Sequence, residues 1–162
     1  MAKTCVPAFV LILLASALTL ASCTLQPTQP TSPASPSVQR DTAEWRARQM
    51  YLLLRKENPR LAWNQCLAAA ACERAKHLVS TNSFSHRDPA SGKNPAFDSI
   101  QSNCFEFRVA GENFARGSDD PDELHRVLME SPSHRENIMD PRYELVGVGC
   151  CESYCVELFA GF

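Results

Sequence analysis

The chain has 162 residues and a formal net charge of −2, with 16 Lys and Arg residues against 18 Asp and Glu residues. It has no cluster of basic residues and no stripe of alternating basic and aromatic residues. The composition therefore argues against a nucleic-acid partner.

Residues 1–22 are typical of a bacterial lipoprotein signal peptide. Lys3 supplies the positive charge, and an apolar run of signal-peptide length follows it. Leu-Ala-Ser-Cys, ending at Cys23, has the form of a lipobox, which predicts that Cys23 is the first mature residue and carries lipid. The domain is then expected in the periplasm or outside the cell, anchored to a bacterial membrane (the outer membrane if the organism has one). The alternative is secretory cleavage near Ala21, with Cys23 left as an ordinary thiol.

Residues 23–39 are predicted to form a tether that follows the lipidated cysteine. Prolines at 27, 30, 33 and 36 recur every third residue, which matches the three-residue turn of polyproline II. The remaining residues, 40–162, fit one compact domain.

Two helices are predicted at the start of this domain. The first runs from a start at residues 41–44 to a stop at Asn58-Pro59. The second, over residues 65–80, has a continuous apolar stripe at helical spacing that comprises Leu67, Ala71, Ala75 and Leu78. The following stretch, up to residue 106, is interpreted as a loop with four buried anchors, Phe84, Phe97, Ile100 and Phe105, and residues 105–110 as a short strand.

Two further helices are predicted in the second half. Asp120 caps one, with proline at its first position. Ser133 and Glu136 have the spacing of a capping box, which places His134 at the first position of the other. The helix dipole there favours the neutral imidazole. His77 and His125 lie among charged neighbours and are expected to face solvent.

The end of the chain is predicted to form paired strands, at residues 144–150 and 155–162. Gly147 and Gly149 alternate with valines, which leaves one face of the first strand without side chains. Another element is therefore expected to pack very close to that face.

The cysteine count predicts disulfides in an oxidising compartment. Of eight cysteines, Cys5 is lost with the signal peptide and Cys23 is lipidated, which leaves six: Cys66, Cys72, Cys104, Cys150, Cys151 and Cys155. The sequence does not choose among their pairings. Because Cys150 and Cys151 are adjacent on a strand, they should point to opposite faces and form different bridges.

Four motifs occur in a characteristic order: Phe-Ser-His-Arg-Asp-Pro at 84–89, Gly-Glu-Asn at 111–113, Ser-Pro-Ser-His-Arg-Glu-Asn-Ile at 131–138 and Val-Gly-Val-Gly at 146–149. Together with Leu-Ala-Trp-Asn at 61–64, they resemble the CAP superfamily of cysteine-rich secretory, antigen 5 and pathogenesis-related 1 proteins, over roughly residues 43–162. The resemblance implies an α+β fold, a three-layer α-β-α sandwich.

The resemblance also implies a cleft that gathers two histidines and two acids. By motif, His86, Glu112 and His134 are three of these four residues. The resemblance implies that their side chains are candidate ligands of zinc or another divalent cation. Asn113 is a further cleft candidate. The second acid is missing from its position, which Ser131 occupies, and Glu130 lies one residue away. Glu112 could instead be a structural clasp, and His86 an ordinary turn residue.

The leading functional hypothesis is a lipid-anchored binding module that takes a small apolar, lipid, sterol or other cell-envelope ligand. One alternative is a metal-assisted, peptidase-like hydrolase of the envelope, with Glu130 or Glu112 as general base. The other is a structural or interaction domain. No zincin helix, nucleophile elbow or phosphate-binding loop occurs in the sequence, so enzymatic activity is left open, with binding favoured.

Overall fold

A computed structural model describes residues 42–162 of the chain. The predicted signal peptide, the lipidated Cys23 and the tether lie outside the described residues. Within residues 42–162, no helix has the length and apolar character needed to cross a membrane.

The described part contains helices and strands in mixed order. The helices are α1 (Ala43–Glu57), α2 (Gln65–Thr81), α3 (Pro95–Asn103), α4 (Pro121–Glu130) and α5 (Pro132–Met139). The strands are β1 (Ala62–Trp63), β2 (Val109–Arg116), β3 (Leu145–Cys151) and β4 (Tyr154–Gly161). The predicted first and second helices and the final strand pair are all present.

The four strands form one sheet in the order β1-β3-β4-β2. β3 and β4 are an antiparallel hairpin, β2 pairs antiparallel with β4, and the two-residue β1 pairs parallel with β3. Among the described residues, β2 is therefore an edge strand of the sheet.

Helices cover both faces of this sheet. On one face α2 and α3 bury Leu67, Leu78 and Ile100 against Phe114 and Leu158. On the other face the core joins α1, α4 and α5 to the sheet through Leu54, Leu124, Ile138, Val146 and Phe159. The predicted α+β fold with an α-β-α sandwich is confirmed.

α2 lies directly on the side of β3 that has no side chains. A Cβ atom at Gly147 would overlap the backbone of Leu67 and Ala68, and one at Gly149 would overlap the backbone of Ala71 and Cys72. The predicted close approach is therefore made by α2, and any side chain at either glycine would push the helix off the sheet.

The segment predicted as a loop contains α3. Asn94 caps this helix by accepting a hydrogen bond from the backbone N–H of Ala96 at 2.9 Å, and Pro95 occupies its first turn. Asn94-Pro95 is a helix-start signal that the loop interpretation overlooked. Two other expectations are wrong: Phe84 is exposed rather than a buried anchor, and β2 begins at Val109 rather than at residue 105.

α5 begins earlier than predicted. Its cap is Ser131 and Pro132 occupies its first turn, so His134 is the third helical residue rather than the first. The predicted Ser133–Glu136 capping box is wrong because α4 ends at Glu130 and a single extended residue, Ser131, joins the two helices. Such an extended conformation is what a residue before proline prefers.

Histidines 77 and 125 have different environments. His77 is exposed, as expected. His125 is buried in α4, contrary to expectation, and its Nε2 lies 3.9 Å from a carboxylate oxygen of Glu57. It faces the α1 layer because it is next to Leu124 on the buried side of the helix.

Four of the six domain cysteines form disulfides, Cys66–Cys104 and Cys150–Cys155. Cys72 and Cys151 are free. Cys150 packs into the core on the α1 side of the sheet, whereas Cys151 packs against the core on the α2 side. The predicted opposite orientation of these neighbours is confirmed, and only one of them is bonded.

Candidate functional site

The Glu112 carboxylate is the buried centre of the candidate site. It lies on edge strand β2 and points to the α2 side of the sheet, with its side chain 1% exposed. One oxygen, Oε1, accepts a hydrogen bond from Arg74 Nε at 2.8 Å. The other, Oε2, is 2.8 Å from His86 Nδ1 and accepts a hydrogen bond from Asn94 Nδ2 at 2.7 Å. Both oxygens are thus engaged by protein groups.

Arg74 connects this carboxylate to the loop after α2. Its side chain is 4% exposed, and besides the bond to Glu112 its Nη2 donates to the carbonyl oxygen of Ser85 at 2.6 Å. Because Ser85 precedes His86, Arg74 fixes the backbone that presents the first histidine. A buried arginine–carboxylate pair with further hydrogen bonds is the arrangement that makes buried charge tolerable.

Glu112 is an anion at neutral pH. Burial by itself raises the pKa of a carboxyl group. Hydrogen bonds from His86 and Arg74, together with the positive charge of Arg74, outweigh burial and hold the pKa of Glu112 below its ordinary value. The group is therefore a fixed hydrogen-bond acceptor that orients its neighbours.

His86 and His134 face each other across the site, with ring centroids 6.2 Å apart. The His86 ring also rests on Phe114, at 4.5 Å between centroids. Burial, and then the nearby His86, lower the pKa of His134, so this imidazole is neutral at pH 7. The neutral form predicted for His134 is thus obtained through burial rather than through a position at the first residue of a helix.

An amide network holds α5 against β2. Asn113 Nδ2 donates to the carbonyl oxygen of His134 at 3.1 Å and to Glu157 Oε2 at 3.0 Å. Asn137 Nδ2 donates to Asn113 Oδ1 at 2.9 Å. Asn113 is fully buried, so this predicted cleft residue acts by fixing the backbone of His134.

A cleft of about 350 Å³ opens above these groups. It is lined by His86, Asn94, Phe97, Ala110, Gly111, Glu112, Ser133, His134 and Asn137. The candidates His86, Glu112 and His134 are therefore brought together. Glu130 does not line the cleft. It is exposed on α4, where its carboxylate accepts a hydrogen bond from Arg126 Nη1 at 2.7 Å.

Comparison with known proteins agrees with the fold and with the order of the motifs. The sequence profile of the cysteine-rich secretory protein family, CAP, matches residues 40–159. The chain belongs to this family.

Several bacterial proteins are similar to this CAP domain. An uncharacterized Bacillus subtilis protein, YkwD, is 33% identical over 90 residues, which is 56% of this chain and 34% of that protein. An extracellular SCP-domain protein of Bacillus anthracis superposes with a TM-score of 0.69 at 26% identity, over 82% of this chain and 45% of that chain. The chain thus spans less than half the length of these two relatives.

A third similar structure agrees in fold alone. An outer surface protein of Borrelia burgdorferi superposes with a TM-score of 0.64 at 18% identity, over 74% of this chain and 95% of that chain. At such low identity, the match shows a shared fold and carries no residue roles.

The side-chain geometry of the CAP cleft does not fit the predicted zinc set of His86, Glu112 and His134. Within residues 42–162, no three or more His, Cys, Asp or Glu side chains are arranged to hold a metal ion. Both oxygens of Glu112 already have protein donors, and the Arg74 guanidinium would repel a cation bound to them. We therefore derive no chemistry through a metal.

Sequence reasoning missed two residues that hold the site together, Arg74 and Asn94. Arg74 interrupts the apolar stripe of α2, seven residues after Leu67 and four before Leu78, and a charged residue there signals a buried ion pair. Asn94 was overlooked together with α3. Its Oδ1 caps the helix while its Nδ2 reaches Glu112, so helix start and site share one residue.

Glu157 is a second buried acid, beneath the site on β4. It is fully buried, and of its two oxygens only Oε2 has a hydrogen-bond partner within the described residues. Burial raises its pKa from 4.5 to about 7, and the hydrogen bond from Asn113 offsets this only in part. The folded protein therefore holds a proton here that the unfolded chain releases at lower pH.

We predict that Glu157→Gln abolishes part of the pH dependence of stability. The pKa of Glu157 is higher in the folded protein than in the unfolded chain. The stabilisation of the fold by this protonated group is therefore fully present below pH 4.5 and is lost as the pH rises through about 7. Relative to wild type, the variant should gain up to about 3 kcal/mol in the free energy of unfolding between these limits. Urea unfolding at several pH values measures this difference. A constant difference between the two proteins across that range would contradict the prediction.

Proposed function

We propose that this CAP protein is exported, anchored by lipid on Cys23, and binds a small amphipathic ligand of the cell envelope in the cleft between His86 and His134. The lipobox-like sequence supports the anchor, and the proline-spaced segment after it suits a tether. The extracellular description of its B. anthracis counterpart supports export.

The observation that carries the binding function is the complete engagement of Glu112. A general base needs an oxygen that can accept a proton from substrate or water. Here one oxygen is paired with Arg74 and the other accepts from Asn94 and contacts His86. Glu112 therefore suits a scaffold that orients an imidazole toward a ligand better than it suits a catalytic base.

The cleft lining indicates the chemistry of the ligand. The apolar surface of the cleft comes from Phe97 and Ala110, and its polar groups belong to His86, Asn94, Glu112, Ser133, His134 and Asn137. The neutral imidazole of His134 and the Ser133 hydroxyl can each donate and accept hydrogen bonds. A lipid, a sterol or a related molecule with one hydroxyl or carboxyl group and an apolar body matches this combination.

The structural-clasp alternative is favoured by one specific observation, the Asn113–Asn137 network. It binds the backbone of His134 and leaves the imidazole ring without a hydrogen-bond partner among the described residues. A clasp needs the backbone contacts, whereas a binding site needs the ring. A substitution that removes the His134 ring therefore distinguishes the structural-clasp hypothesis from the ligand-binding hypothesis.

We predict that His134→Ala weakens ligand binding at least tenfold, a loss of about 1.4 kcal/mol, because the variant removes a polar contact in a half-buried cleft. The measurement is fluorescence titration with cis-parinaric acid and with dehydroergosterol, using the full chain purified in detergent. The matched control is His77→Ala, which removes an exposed imidazole from α2 outside the cleft. Phe97→Ala should weaken binding in the same assay.

Unchanged affinity in His134→Ala and Phe97→Ala would contradict the binding function. If His134→Ala also lowered the melting temperature while affinity stayed the same, the clasp would be the better description. Turnover of peptide or cell-wall substrates that is lost in His134→Ala but not in His77→Ala would favour the hydrolase.

We predict that Cys23→Ala moves the protein from the membrane fraction to the soluble fraction and abolishes metabolic labelling with palmitate. Several acyl chains on one residue make an anchor stable, and the variant lacks the cysteine that would carry them. Cys5→Ala, which changes a cysteine inside the signal peptide, is the control. Soluble, unlabelled wild-type protein would instead indicate simple secretion.

A further inference from the structure

Two free cysteines, Cys72 on α2 and Cys151 on β3, remain after the two disulfides of the domain. Both are half-buried. They lie on the two elements that approach most closely in the fold, because α2 packs on the bare face of β3. Free thiols in an exported domain are unusual, since oxidising compartments favour disulfides.

The register of α2 on β3 makes the two cysteines neighbours across the contact between helix and strand. Leu67 and Ala68 cover Gly147, and Ala71 and Cys72 cover Gly149, so helix and strand advance in the same direction. Cys151 is the next residue on that face of the strand, about 7 Å beyond Gly149. Since Cys72 lies directly over Gly149, Cys151 is about one pleat away from it, and a disulfide requires that the two Cα atoms come within roughly 4.4–6.8 Å of each other.

Side-chain direction agrees with this register. Cys151 packs against the core cluster formed by α2 and α3, on the face opposite to Cys150.

We propose that Cys72 and Cys151 form a third disulfide in the exported protein. One thiolate attacks a disulfide-bearing oxidant and forms a mixed disulfide, and the second thiolate then displaces the oxidant as a thiol. The domain loses two protons and two electrons, and the oxidant is reduced to two thiols. This inference does not depend on the ligand proposed for the cleft.

The consequence of this bond is a covalent link between α2 and the sheet. α2 also carries Arg74, whose guanidinium pairs with Glu112. The existing disulfides do not make this link: Cys66–Cys104 joins α2 to the residue that caps the end of α3, and Cys150–Cys155 lies within the β3–β4 hairpin. The third disulfide would therefore fix the helix that holds the buried ion pair.

Tryptic mapping without reduction tests the pairing directly. Trypsin releases three cysteine peptides from the domain, 61–74 with Cys66 and Cys72, 94–108 with Cys104, and 143–162 with Cys150, Cys151 and Cys155. The Cys66–Cys104 bond joins the first two. Only a bond from Cys72 attaches the third, so the proposal predicts one assembly of three peptides from the exported, iodoacetamide-treated full chain.

Cys72→Ser and Cys151→Ser are the matched variants, and each should release peptide 143–162 from the assembly. Release in both variants supports the proposal. Retention of the three-peptide assembly in Cys151→Ser would overturn it, because Cys72 would then be paired with Cys150 or Cys155. Alkylation of both Cys72 and Cys151 in wild-type protein, even after incubation with oxidised glutathione, would also overturn it.

Discussion

The buried ion pair between Arg74 and Glu112 is the constraint on which the site depends. Either charge left alone in this interior would be strongly destabilising, so the two must meet in good geometry. Their meeting fixes α2 against edge strand β2, and the second oxygen of Glu112 adds the loop of His86 and the start of α3. Three separate segments thus converge on the one carboxylate that β2 carries.

The ion pair is possible because α2 lies so close to the sheet. Gly147 and Gly149 remove the side chains that would otherwise hold the helix away. The glycines of β3 therefore allow α2 to lie close to the sheet, and at this short helix-to-sheet distance Arg74 reaches Glu112. The same close approach brings Cys72 near Cys151, so packing, electrostatics and the proposed disulfide share one interface.

Sequence reasoning predicted the features that depend on local pattern. The stripe of α2 and the bare glycine face predicted that a helix packs closely on β3. The three-layer fold and the gathering of His86, Glu112 and His134 were predicted from the resemblance of the four motifs to the CAP superfamily. It failed where tertiary context decides. α5 begins at Pro132 because α4 ends at Glu130, one residue before the cap of α5. His125 is buried and lies against Glu57 of α1, with 3.9 Å between its Nε2 and a carboxylate oxygen. The engagement of Glu112 could not be predicted without knowing that Arg74 and Asn94 reach the same carboxylate.

The central claim is that both oxygens of Glu112 are hydrogen-bonded by protein groups, so that the cleft binds an organic ligand rather than a metal ion. Calorimetric titration of zinc into the full chain in detergent tests this most directly, with His86→Ala and His134→Ala as variants. We expect heats that are the same for all three proteins and that show no tight stoichiometric binding. Tight binding of one zinc ion by wild type, lost in both variants, would contradict the claim.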